Sequence, residues 1–208
     1  MKKLSKLAVY VFLLSVLLFP NGNAVSNGGF ETAGGGGADV FASWTESTAG
    51  SSSINDETSD VHGGSHACRM DVDASNNTAT IYQIVTLTTD VEYTLIIWYK
   101  MSTSGKTAQF MLANTMSNVW LKSDGTWQSG VPIVIALANK TSWYGYSISF
   151  TASSYTDYVL TIQKNSAASS SVYFDDVSIT LASGHNVILK PGVKLILKPG
   201  VKEIIKEQ

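Results

Sequence analysis

A chain of 208 residues has room for one domain with a real core, and hardly for two once its ends are set aside. Only 14% of its residues are charged, while Ser, Thr, Gly and aromatic residues are plentiful, a mixture that suits short strands and polar loops better than amphipathic helices. Between Val25 and Gly184 six basic residues stand against fourteen acidic ones, a net charge of −8, which argues against nucleic acid as a partner because phosphate contacts need clustered positive charge.

The first element reads as an export signal. Lys2, Lys3 and Lys6 form a basic start, Leu7 to Phe19 is an apolar run of 13 residues, and Pro20 breaks it. Gly22-Asn23-Ala24 then offers small residues at the positions a signal peptidase reads, which predicts cleavage after Ala24 and a secreted protein. As a helix the run spans only about 20 Å, short of a bilayer core of ~30 Å. An uncleaved membrane anchor is the other reading. No cysteine lies at the cleavage region to support a lipid anchor, and the single cysteine, Cys68, rules out an internal disulfide. Cys68 alternates with Met70 and Val72, the pattern of a small core residue.

The domain is expected over residues 25–183. Its Gly-rich opening, Gly34 to Gly37, reads as loop. Strands are predicted at Ala67–Val72, Thr80–Leu87, Tyr93–Lys100, Ala108–Ala113, Val119–Lys122, Val131–Leu137, Tyr144–Thr151, Tyr158–Gln163 and Val172–Leu181. Asp124-Gly125, between Trp120 and Trp127, reads as a hairpin turn because both residues tolerate positive φ. Short strands with polar turns and no helical period between them predict an all-β sandwich or barrel. Alternation sets the buried faces: Tyr93, Leu95, Ile97 and Tyr99 share one side of their strand, and Tyr144, Tyr146, Ile148 and Phe150 share one side of theirs.

An ordered set of short motifs points to a family. Asn27-Gly28-Gly29-Phe30-Glu31 is followed by Trp44, Gly64-Ser65-His66-Ala67, Tyr82-Gln83, and Tyr93-Thr94-Leu95 with Trp98 and Lys100. Trp143, with Tyr146, Ile148 and Phe150, and Val172-Tyr-Phe-Asp-Asp-Val-Ser-Ile179 close it. The set, over about residues 26 to 181, resembles the carbohydrate-binding modules of the family 4, 9 and 22 type. The resemblance implies a jelly-roll β-sandwich of two antiparallel sheets, of galactose-binding-like fold, holding a polysaccharide or cell-surface glycan in a concave groove. It also implies a structural Ca²⁺ between the opening segment and the last strand, with Glu31 and Asp175 as side-chain ligands and Gly29 as a carbonyl ligand. The Asp60–Ser65 loop, through Asp60 and Ser65, extends that set. The residues themselves leave a second reading of Asp175: placed on the parity of Tyr173, Val177 and Ile179, it points inward, and a buried carboxylate needs either a cation or hydrogen-bond donors.

Sugar rings stack their C–H faces on aromatic rings while polar neighbours bond the hydroxyls. Trp98, off the core parity of its strand and at a position where related modules carry a stacking aromatic, is the first expected platform, flanked by Lys100 and Gln109. Trp120 and Trp127 are further candidates, and Gln83 a polar contact, whereas Trp143 reads as a structural edge residue. Catalysis is not expected. A glycosidase needs two carboxyls facing one bond, and the adjacent Asp175 and Asp176 of a regular strand would point to opposite faces. Asp56, Glu57 and Asp60 read as a solvated turn, and His62 and His66 bracket two glycines at a spacing open to a metal pair.

The tail from residue 184 repeats itself. Ile188-Leu-Lys-Pro-Gly-Val-Lys194 recurs as Ile196-Leu-Lys-Pro-Gly-Val-Lys202, and its two Pro-Gly breaks oppose a helix. It reads as an assembling ribbon, a basic contact to an acidic surface, or a disordered extension. Two functions are therefore expected: a secreted non-catalytic polysaccharide binder, or a structural or adhesive surface protein that self-associates through residues 185–208. In the first Trp98 lines an open groove; in the second it is packed. A hydrolase is the third, weaker reading.

Overall fold

The computed structural model describes residues 22–182 apart from 74–76, 105–106, 115, 154 and 165–169; the basic start, the apolar run and the repeats expected from residue 184 lie outside the described residues. None of the described residues is helical. Strands β1 (Ala33–Gly36) and β2 (Asp39–Phe41) pair only with each other. The larger sheet runs β10 (Trp127–Ser129), β9 (Val119–Leu121), β8 (Ala108–Asn114), β13 (Asp157–Lys164), β6 (Ala79–Thr86) and β3 (Thr45–Thr48), with β11 (Ile135–Leu137) on the free edge of β8. The second sheet runs β12 (Tyr144–Thr151), β7 (Glu92–Met101), β14 (Ser170–Leu181), β5 (Ala67–Val72) and β4 (Ser53–Glu57). All pairings are antiparallel, and the chain is an all-β sandwich.

The core lies between the two sheets, filled from the strand faces that alternation marked. Leu95, Ile97 and Tyr99 of β7 and Val172 and Phe174 of β14 meet Ile81 of β6, Phe110 and Leu112 of β8, and Leu160 and Ile162 of β13 in one buried cluster. Cys68 is part of it, wholly buried, and burial holds its thiol well above the ordinary value. That is the environment of an inert core residue. Tyr99 is buried with its hydroxyl donating to the Ala138 carbonyl at 2.8 Å, and burial pushes its pKa up to about 12.

Three local expectations are corrected. The Gly-rich opening forms a hairpin strand, stabilised by Asp39 Oδ2 accepting the Gly35 N–H at 2.6 Å. Asp56 and Glu57 lie in β4, not in a turn. Most important, β14 is not regular: its register with β7 slips between Asp175 and Ser178, and Asp176 adopts a positive φ of 45°. One residue is inserted, so the inward positions are Val172 and Phe174 before the bulge but Val177 and Ile179 after it. Asp175 is therefore on the outer face with Tyr173, buried there by a covering loop, and the argument that it and Asp176 point to opposite faces does not hold.

The first described residues are built into the sandwich. Asn23 donates from Nδ2 to the Val177 carbonyl at 3.1 Å, and its Oδ1 accepts the N–H groups of Val25 at 3.0 Å and Ile179 at 2.8 Å. The Ala24 N–H donates to the Ile179 carbonyl at 2.8 Å. Cleavage after Ala24 would remove all four bonds. A chain that starts at Val25 is expected to be less stable in urea than one that starts at Asn23, by about 2–4 kcal/mol at ~1 kcal/mol per bond; equal unfolding midpoints would show that the Asn23 anchor is idle.

Candidate functional site

Three segments meet at the β14 bulge: the turn at Gly28–Glu31, the loop at His62–His66, and Asp175–Val177. Asp175 is completely buried; its Oδ2 accepts the N–H groups of His62 at 2.8 Å and Gly63 at 3.0 Å, and its Oδ1 that of Asp176 at 2.7 Å. Burial pushes its carboxyl above the ordinary aspartate value, against the pull of those donors. Across the loop, Glu31 Oε1 accepts the N–H groups of Ser65 at 2.8 Å and His66 at 3.1 Å, which hold its carboxyl below the ordinary glutamate range. Gly64 makes that approach possible: it has φ +60°, and a Cβ there would fall 1.9 Å from Glu31 Oε1. The Val177 N–H donates to the Gly28 carbonyl at 2.8 Å and closes the junction.

Of the metal ligands expected, Gly29, Glu31 and Asp175 gather here and Asp176 joins them, its Oδ2 2.6 Å from His62 Nδ1. Asp60 does not: it pairs with Lys100 and accepts the Trp143 Nε1–H at 3.2 Å. Ser65 serves through its backbone N–H. All the acidic donors are oxygens and the cluster is net negative, which suits a hard cation. Among the described residues no three His, Cys, Asp or Glu side chains stand grouped to hold a metal by themselves, so carbonyls such as that of Gly29 would complete any cation site. His62 and His66 do not form a metal pair; His66 turns to Asp56 instead, at 2.9 Å.

The same loop lays His62 on Trp98. Their rings stack with centroids 3.7 Å apart and planes 17° from parallel, and the Trp98 ring also lies against Gly145, where a Cβ would come within 3.2 Å of it. Lys100, next on that face of β7, is held by Asp60 and lies 5.2 Å from the Tyr173 ring centroid and 6.0 Å from that of Trp143. An open depression of about 360 Å³ reaches the Trp98 edge between Asn23, Gly29 and Asp176, but His62 covers a ring face. The expected open platform is a packed aromatic cluster.

The other predicted contacts separate. Gln83 faces the interior, 6% exposed, with its amide clamped to Ser26: Nε2 donates to the Ser26 carbonyl at 3.1 Å and Oε1 accepts the Ser26 N–H at 3.0 Å. Trp127 also turns inward, packing on Phe150 and Tyr158 and donating from Nε1 to the Thr151 carbonyl at 2.7 Å. Gln109 and Trp120 lie on the outer face of the larger sheet, whereas Trp98 and Lys100 are on the second sheet, so Gln109 cannot flank Trp98.

That outer face is ordered in three rows across the strands. Trp120, Ala113, Val159 and Ile84 form the first; Met111, Thr161, Tyr82 and Thr45 the second; Gln109, Gln163, Thr80 and Ser47 the third. Tyr82 is 37% exposed and Ile84 68%. In the third row Gln109 Nε2 donates to Gln163 Oε1 at 2.5 Å, and Gln163 Nε2 to Thr80 Oγ1 at 3.1 Å. Tyr82 is not among the expected contacts, although the signal for its exposure is in the sequence: Ala79, Ile81, Val85 and Leu87 set the buried parity, which puts Gln83 inside and Tyr82 out. A larger open depression, about 690 Å³ around Trp44, Asp39 and Glu46, holds none of the predicted site residues.

Two sheets of this order and an outer face of aromatic, amide and hydroxyl groups can be set beside solved structures. A family 61 carbohydrate-binding module in complex with β-1,4-galactotriose aligns with a TM-score of 0.56 at 18% identity, over 76% of this chain and 98% of that one. The fold is one that solved carbohydrate-binding modules share. The enzymatically active domain of tailspike protein 4 of bacteriophage CBA120 aligns at 0.55 and 17% identity, over 76% of this chain and 21% of that one. A xylan-binding family 22 domain of Paenibacillus barcinonensis aligns at 0.49 and 13% identity, over 79% and 97%. No family model matches the chain, and no curated protein aligns with it.

The junction has a pH signature. Glu31 is held below its unfolded pKa, so its contribution is present above that value and is lost as pH falls through the folded one. Glu31→Gln should therefore flatten part of the stability loss between about pH 5 and 3. Identical acid limbs for the two proteins, read by urea midpoints, would show that the Ser65 and His66 donors do not depend on the charge.

Proposed function

We propose that this is an exported, non-catalytic protein that binds polysaccharide across the outer face of the larger sheet. The observation that carries it is the second row with its neighbours: the exposed Tyr82 ring beside the amides of Gln109 and Gln163, on a face open across β8, β13 and β6. A flat ring beside amides and hydroxyls is the chemistry that a pyranose face and its hydroxyls require. The shared fold supports this reading at the level of architecture alone, because one fold hosts many functions. Non-catalysis is consistent with Asp175 being buried and bonded to three N–H groups, which leaves it no reach to a glycosidic bond. Export rests on the N-terminal pattern.

Tyr82→Ala should weaken glycan binding about tenfold, as the loss of one stacked ring of about 1.4 kcal/mol. Trp98→Ala should leave affinity unchanged and lower stability by about 2–4 kcal/mol, because its ring is packed. Affinity electrophoresis and urea melts separate the two effects; the opposite pattern would return the site to Trp98.

Calcium is part of the same proposal, held at Glu31 and Asp175 with the Gly29 carbonyl, where it would neutralise the carboxylates gathered at the bulge. EDTA should lower the melting temperature by several degrees and added Ca²⁺ restore it, since a ligand of the folded state alone stabilises it. A melting temperature indifferent to EDTA would leave the amide donors as the sole support of Asp175.

The adhesive reading has one observation on its side: Trp98 is packed, as that reading expects. Light scattering of the chain with and without residues 185–208 tests it, and a monomer in both cases removes it.

A further inference from the structure

The three rows differ in chemistry, and the difference bears on what can lie across them. The third row is an amide and hydroxyl ladder. In the first, Trp120, Ala113, Val159 and Ile84 are apolar, with Gln128 following only at the β10 end beside Trp120, and Ile84 is among the most exposed large apolar side chains described. None of the twelve residues in the three rows is charged. Successive rows lie about 7 Å apart along the strands, so a chain of sugar rings seated on the middle row touches one outer row with each edge.

Two conclusions follow from elementary energetics. An anionic glycan would find no counter-charge on this face, and the domain's net negative charge would repel it. A neutral chain would find partners for its hydroxyls along Gln109, Gln163 and Thr80 but none on the Ile84 and Val159 side chains, beyond which the next row is Thr86 bonded to Asp157. A hydroxyl pressed on that row loses its water without replacement. A methyl group there gains by leaving water, and offers nothing to be left unpaired.

Resting on the proposed binding face, we propose that the ligand is an uncharged polysaccharide with apolar substituents along one edge, such as O-acetyl or O-methyl groups, seated on Ile84 and Val159. Each seated methyl is worth about fourfold in affinity. The substituted edge lies toward Ile84 and the free hydroxyls toward the glutamine ladder. This orientation makes the face a reader of substitution pattern, and not of the bare sugar backbone.

The test compares acetylated glucomannan, the same preparation after alkaline deacetylation, and polygalacturonate, by affinity electrophoresis and calorimetry on the full chain. The acetylated polymer should bind at least fourfold tighter than the deacetylated one, and polygalacturonate not at all. Ile84→Ser, at an exposed position, should abolish the difference by weakening the acetylated polymer and tightening the deacetylated one, with the melting temperature unchanged. Gln163→Ala should weaken both neutral polymers alike. Equal or tighter binding of the deacetylated polymer, a preference that survives in Ile84→Ser, or firm binding of polygalacturonate overturns the inference and leaves the binding face standing. Failure to bind any of the three overturns the binding face as well.

Discussion

The arrangement of this sandwich depends on a carboxylate that cannot reach water. Asp175 sits at a bulge in the central strand of the second sheet, and its two oxygens take three backbone N–H groups, two of them from the loop at residues 62–63. A buried carboxylate without such partners costs several kcal/mol, so the loop is held down as firmly as the carboxylate is held in. The bulge also turns Asp176 toward the same loop, and Glu31 grips its far end. The opening segment, the loop and the last strand are thereby fixed together at one point, far apart though they are in the chain.

What this junction does to the surface is less obvious. With the loop in place, His62 is delivered onto Trp98 and Asp60 onto Lys100 and Trp143, so that an aromatic and ionic cluster forms on the outer face of the second sheet. The outer face of the larger sheet carries rings, amides and hydroxyls in its three rows, with Tyr82 and Ile84 exposed. Residues of similar chemical promise thus end in different surroundings: Trp98 lies under His62, and Tyr82 is exposed.

The shared architecture limits what can be inferred from likeness. A galactotriose-bound module and part of a phage tailspike both align with this chain at under 20% identity. Both sit on the same layered scaffold, so function has to be argued from the surface that each sequence paints on it. Here the three rows of that surface are uncharged, apolar at one side and amide-lined at the other, with Thr86 and the exposed Asp157 in the next row beyond the apolar one.

The sequence by itself determined the all-β class, because alternation is a local property: strands such as Tyr93–Lys100 and Tyr158–Gln163 carry their buried faces in their own residue order, and the choice of sandwich over barrel came from the resemblance. It also determined the interior place of Cys68, and the same parity already held Gln83 inside and Tyr82 outside. Three things were decided only by the tertiary structure. The β14 bulge inserts a residue and breaks the parity on which Asp175 and Asp176 were read. The loop at 62–66 covers Trp98 through a contact between residues 36 positions apart, which no local pattern records. The allocation of strands to sheets put Gln109 and Trp98 on different faces, since pairing across the sandwich is fixed by which edges meet when the whole core closes and not by any strand alone.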